Sequence, residues 1–209
     1  LPGWSQSPSL AMSRTSSLSK KLSRDHSISL VYAQAPHAVP HRDVEGADNP
    51  DAYCWFYYTD EPSCDTTRMF LPNRYAGYIE SAQSLAYQFE SSGCSGIVAF
   101  SQGSVMADIL CVMAEEGVEP WKSKLRYVVF MGGFPARLEG GNWDSVRRKV
   151  PSLHFIGAED TRVPPERQRE LHGMYDGAEV FEILKGKHAV PGFMKAAIRV
   201  GDFISSKAG

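Results

Sequence analysis

No sign of charge dominates this sequence. Its 209 residues carry 22 Lys and Arg against 24 Asp and Glu, a formal net charge of −2, with no dominant basic block. Nucleic-acid binding needs clustered Lys and Arg, so no nucleic-acid partner is expected. Long hydrophobic runs are missing too. No apolar stretch approaches the roughly 18–20 residues that cross a bilayer, each candidate being broken by Gly, Pro or charge, and no membrane span is expected. Cysteine is scarce. Cys54, Cys64, Cys94 and Cys111 are too scattered for a disulfide scaffold and form neither a Cys-x-x-Cys pair nor a Cys/His zinc spacing. No metal site is expected, and a reducing, cytoplasmic compartment is the reading. An internal repeat, a second-domain linker and an initiator Met are also lacking.

What is present describes an ordinary globular chain, 43% hydrophobic and 22% charged. A chain of this length buries roughly 70–75% of the surface its unfolded form exposes, enough for one core, so residues 1–209 are expected to form one domain. Ten of the 25 residues from Ser5 to Ser29 are serine. This superficially resembles a transit peptide, but a leader should precede the fold, whereas here motif residues precede the serines. A first helix with Leu10, Met12, Leu18 and Leu22 on its apolar face is the reading. A serine density of this kind also suggests phosphorylation. Downstream, β-branched runs alternate with helical periodicity, the sign of a mostly parallel α/β sheet with helices on both faces. Strands are expected at 28–33, 97–100, 126–131, 153–156 and 180–184. Helices are expected at 75–89, 105–114 and 193–204, and a Pro-bearing loop at 36–50.

Between the strand at 97–100 and the helix that follows lies Ala99-Phe100-Ser101-Gln102-Gly103. A serine on a sharp strand-to-helix turn has its hydroxyl thrust above the sheet edge, and small residues two positions either side let strand and helix cross closely. The next backbone N–H, that of Gln102, then sits at a helix N-terminus, where negative charge is stabilised. Ala99 stands where glycine is usual. A serine nucleophile needs a base, and the base an orienting acid, in the chain order Ser, acid, His of an α/β-hydrolase. Asp160 follows the strand at 153–156, at the sheet edge where parallel sheets place their sites, and is preferred to Glu159. His188 follows the last strand. His26, His37 and His41 precede the serine, His154 lies inside a strand and His172 on a helix, so none of these fits the order. A second oxyanion donor is expected from Leu1-Pro2-Gly3-Trp4, where Gly3 permits the turn and Trp4 N–H would donate.

Together these segments resemble the FSH serine hydrolases. Leu1-Pro2-Gly3-Trp4-Ser5-Gln6-Ser7 is similar to that family's Leu-His-Gly-aromatic-x-Gln-Asn opening, with Pro2 in place of the histidine. Trp55-Phe56-Tyr57 resembles its aromatic segment, and the run from Gly96 to Gly103 its nucleophile turn. Gly157, Asp160, Val163 and Pro164 match its acid loop, and Gly186, His188, Val190 and Pro191 its histidine loop. The resemblance spans essentially the whole chain. It implies an α/β-hydrolase fold without a large lid domain, acting on carboxylic esters or thioesters.

The expected chemistry is acyl transfer through Ser101, Asp160 and His188, with Trp4 and Gln102 N–H groups binding the oxyanion and no cofactor or metal. The expected partner is a small-molecule acyl ester or thioester, handled by a monomer or homodimer. Trp55, Phe56, Met106 and Val190 are apolar candidates for an acyl pocket, although aromatic clusters of this kind more often belong to the core. A thioesterase acting on a carrier or CoA is the alternative enzyme, and an inactive hydrolase-fold binding protein the alternative from another class. Because the oxyanion segment occupies residues 1–4, a strand of the sheet is expected upstream of Leu1 in the native chain.

Overall fold

The computed structural model describes residues 1–39, 51–63, 65–72, 74–140, 143 and 145–207. Cys64 and part of the 36–50 loop lie outside the described residues. In chain order the elements are α1 (Pro8–His26), β1 (His37–Ala38), β2 (Tyr53–Cys54), α2 (Tyr78–Ser91), β3 (Gly96–Phe100) and α3 (Gln102–Glu115). These are followed by α4 (Trp121–Lys124), β4 (Tyr127–Met131), β5 (Ser152–Gly157), α5 (Pro165–Gly173), β6 (Glu179–Ile183) and α6 (Met194–Lys207). β3, β4, β5 and β6 form a parallel sheet in that spatial order, while β1 and β2 pair separately and antiparallel.

Helices cover both faces of the sheet because the central strands are apolar on both. Every residue of β4 is buried. Its alternation sends Tyr127, Val129 and Met131 into a core layer shared with α1 and α6, and Val128 and Phe130 into one shared with α2 and α3. Helix α3 is the most enclosed of the helices, buried from Gln102 through Val112. The serine-rich stretch forms α1. Ser7 caps it by accepting the N–H of Leu10 at 3.3 Å, Pro8 occupies the first turn and Ser27 closes it at φ 56°. Ala11, Leu18 and Leu22 turn inward. The two leucines contribute about 3–6 kcal/mol by burial, so three apolar positions suffice to dock a largely polar helix. Met12, expected on the apolar face, is exposed. No helix among the described residues is long and apolar enough to cross a membrane.

One expected strand does not form. Residues 28–33 join no ladder, although their composition is that of a strand. β3 is the edge of the sheet, and a cavity of about 1040 Å³ separates it from Ile28, Leu30 and Tyr32. Among the described residues no strand lies beside it, so its strand propensity finds no ladder to join.

Two polar groups are enclosed by the core, and the first ties α3 to the segments at Ala136, Arg148 and Tyr175. Asp108, on α3, receives Arg148 Nε and Nη2, both at 3.1 Å, the Tyr175 hydroxyl at 2.8 Å and the N–H of Ala136 at 3.0 Å. Arg148 also donates to the carbonyls of Trp143 and Val146 at 2.7 and 2.5 Å. Both charged side chains are fully buried. Asp108→Ala would strand the guanidinium, so a loss of about 3–5 kcal/mol is expected in urea unfolding; a loss below 1 kcal/mol would show that the pair does not hold these elements.

His154, inside β5, is the second such group. Its ring pairs with Ser152 Oγ at 3.0 Å, and burial pushes its pKa down to about 3. The unfolded chain binds a proton near pH 6.5 that the folded chain refuses. The folded state is therefore favoured in full above pH 6.5 and progressively less as pH falls towards 3. About 2–3 kcal/mol of stability is expected to be lost through this group between pH 7 and 4.5. Urea melts across that range should show a shallower slope for His154→Gln than for the wild type. Equal slopes would contradict this assignment.

Candidate active site

The turn from β3 into α3 sets the site. Ser101 adopts φ 54°, ψ −122°, a left-handed conformation that costs an L-residue about 1–2 kcal/mol. It is held there by its N–H bonding to the Met131 carbonyl at 3.0 Å and by its own carbonyl accepting from Ser104 N–H at 2.9 Å. Gly103 is required by close approach, since a Cβ there would lie 2.5 Å from the carbonyl oxygens of Leu1 and Pro2.

Three side chains that sequence order selected meet above this turn. His188, on the loop after β6, places Nε2 at 3.0 Å from Ser101 Oγ and Nδ1 at 2.8 Å from Asp160 Oδ2. A carboxylate only accepts, so Nδ1 carries the proton and Nε2 is left to accept from the serine hydroxyl. The His188 ring packs on Phe100 at 4.8 Å. Glu159, the rejected alternative, is exposed and uses its N–H to bond Gly186 O at 2.9 Å, which ties the acid loop to the histidine loop.

Asp160 is almost fully enclosed. Its Oδ1 accepts the N–H groups of Arg162 and Val163, both at 2.9 Å, and its Oδ2 accepts Gln168 Nε2 at 3.2 Å besides His188. Gly132, at the C-terminal end of β4 with φ 57°, backs the pair: a Cβ there would stand 3.3 Å from His188 Nδ1 and 3.4 Å from Asp160 Oδ2. Sequence reasoning passed over Gly132 and Gln168. The glycine after an apolar strand was a usable signal; the glutamine inside α5 carried none.

The opening segment runs beside Ser101. Leu1 O accepts from Phe100 N–H at 3.1 Å, Trp55 Nε1 donates to Pro2 O at 2.9 Å, and Gln6 Oε1 accepts Gly3 N–H at 3.1 Å. No hydrogen bond among the described residues engages the backbone N–H of Trp4 or Gln102. The Gln102 side chain is committed elsewhere. It accepts from Trp55 N–H at 3.0 Å and donates to Phe56 O at 2.8 Å.

The pocket candidates separate. Val190 lines the cavity together with Ser101 and His188. Trp55, Phe56 and Met106 are fully buried in the core and do not line it. The reason is the Gln102 clamp on the 55–56 backbone, with Phe56 stacked on Tyr75 at 4.5 Å. Among the described residues no group of three His, Cys, Asp or Glu is placed to hold a metal ion.

A parallel sheet with a serine on the strand-to-helix turn, facing a histidine and an acid from later loops, defines an α/β-hydrolase. Residues 1–198 match the serine hydrolase (FSH1) family, to which this chain belongs. It is 28% identical over 210 residues to esterase OVCA2 of Danio rerio, covering 90% of this chain and 87% of the fish protein. It is 26% identical over 182 residues to esterase AGAP003155 of Anopheles gambiae, covering 86% of this chain and 66% of the mosquito protein. The crystal structure of esterase PE8 superposes with a TM-score of 0.62 at 16% identity, over 98% of this chain and 89% of that one, a likeness of fold.

Gly132→Ala is expected to impose about 1–2 kcal/mol of backbone strain, lowering the melting midpoint by about 2–8 °C. By shifting the His188–Asp160 pair it should also lower ester turnover by about 10²-fold. Turnover within twofold of wild type would show that the pair tolerates a methyl there.

Proposed function

We propose that the protein hydrolyses carboxylic esters through a covalent acyl-enzyme, with Ser101 as nucleophile, His188 as base and Asp160 as the acid that orients it. The continuous chain from Ser101 Oγ through both ring nitrogens to Asp160, at 3.0 and 2.8 Å, carries this reading. His188 Nε2 takes the hydroxyl proton as Ser101 Oγ bonds to the acyl carbon. The proton then passes to the leaving oxygen as the carbon–oxygen bond breaks. A water attacks the acyl-enzyme in turn, giving its proton to the same nitrogen, which passes it to Ser101 Oγ as the acyl carbon–Oγ bond breaks and the carboxylic acid leaves. The N–H groups of Trp4 and Gln102 receive the charge on the tetrahedral oxygen, a role in which one donor is typically worth about 10²–10³ in turnover.

The acyl group is read as apolar. Val190, Phe100 and Leu1 line the cavity that also reaches Ser101 and His188, together with Arg162, and no carboxylate among the described residues lines it. A thioester would pass through the same steps with sulfur leaving.

The test is a series of esters from acetyl to palmitoyl, with thioesters of matched length, assayed on wild type beside Ser101→Ala. The variant is expected to lose turnover on the order of 10⁶-fold and to stop reacting with a fluorophosphonate probe. Turnover within a few fold of wild type, or labelling that persists, would place the nucleophile elsewhere. A wild-type chain that is folded but unlabelled would favour a binding protein on a hydrolase scaffold.

A further inference from the structure

Gln168 lies on α5, outside the three residues given catalytic roles above, and is only 2% exposed. Its carboxamide is fully employed. Oε1 accepts the N–H of Gly157, the last residue of β5, at 3.1 Å, and Nε2 donates to Val163 O at 2.7 Å and to Asp160 Oδ2 at 3.2 Å. The oxygen it reaches is the one that His188 Nδ1 also contacts. One side chain thus ties the end of the strand, the acid loop and the acid together.

The chemistry of the donor matters as much as its place. A carboxylate oxygen left with a spare lone pair could turn towards another donor, and Asp160 would then rotate away from the imidazole. A cation in the position of Gln168 would hold the oxygen but cancel the negative charge that stabilises His188 once it has taken the serine proton. A neutral amide donor fixes the oxygen and leaves the charge in place. Its other contacts, with Gly157 and Val163, prevent the amide from flipping to present its oxygen to Asp160. We propose that Gln168 is a positioning residue of the hydrolase, fixing the Asp160 oxygen that faces His188. This rests on the catalytic roles assigned above to Ser101, Asp160 and His188.

Gln168→Glu keeps the shape and the acceptor for Gly157 but turns the donor facing Asp160 into a second carboxylate. Gln168→Met keeps length and volume and removes the donor. Leu171→Ala, one turn along α5 and also buried, loosens the helix while keeping the Gln168 carboxamide, and serves as the control. With a short-chain ester at about pH 8, kcat is expected to fall about tenfold in Gln168→Met, the loss of a hydrogen bond to a charged group, and about 10–100-fold in Gln168→Glu, where two carboxyl groups packed together compete for one proton. KM should stay within about twofold, since Gln168 does not line the cavity. The downfield proton resonance of His188 Nδ1–H should move in both variants. In Leu171→Ala the melting midpoint should fall while kcat and that resonance hold.

Folded Gln168 variants with kcat within twofold of wild type and an unmoved resonance would overturn the proposal, as would a Leu171→Ala that reproduces both effects. If Gln168→Glu does not fold, Gln168→Met alone decides. Ser101→Ala in the same assay separates the two levels. If it is inactive while the Gln168 variants are normal, only the positioning role falls; if it stays active, the triad reading falls and takes this role with it.

Discussion

Everything in the site hangs on how the chain passes from β3 into α3 at Ser101. The left-handed backbone there is unfavourable in isolation and survives because its surroundings leave no alternative. Met131 O holds the Ser101 N–H from the neighbouring strand, and the carbonyls of Leu1 and Pro2 press so close to α3 that only glycine fits at 103. The Gln102 side chain then pairs with the backbone at Trp55 and Phe56, and Trp55 reaches back to Pro2. Three segments far apart in sequence become mutually defined around one residue, which is how a hydroxyl on a turn can be presented with a fixed direction.

The two buried aspartates show how the same side chain is put to opposite uses. Asp108 and Asp160 each receive four donors, so neither is left with unmet hydrogen-bonding capacity. For Asp108 two of the four come from a guanidinium, and the charge is neutralised where it stands. For Asp160 the fixed donors are two backbone amides and a carboxamide, none of which carries net charge. In the proposed mechanism its negative charge is left for His188, which takes up and returns a proton. Similar saturation of the oxygens thus yields a structural pin in one place and a responsive group in the other.

Much of this was readable in the chain. The strands at 97–100, 126–131, 153–156 and 180–184 and the helices at 75–89, 105–114 and 193–204 correspond to β3 to β6, α2, α3 and α6, with no end moved by more than about three residues. Period and turn chemistry are local, and they survive folding. The side chains of Ser101, Asp160 and His188 were legible because their order and their placement just after strands are also one-dimensional. What escaped is what only the third dimension decides. Residues 28–33 have a strand's composition but no neighbour to pair with. Trp55 and Phe56 could be core or pocket by type, and the side chain of Gln102, 47 and 46 residues away, settled the matter. Arg148 and Asp108, 40 positions apart, look like surface charges until the fold encloses them.

The bond from Trp55 Nε1 to Pro2 O gives the opening segment an optical reporter as well as an anchor. Trp55 is fully buried, so a loosening of residues 1–4 would open its indole to water and move its emission to longer wavelength while the sheet stayed intact.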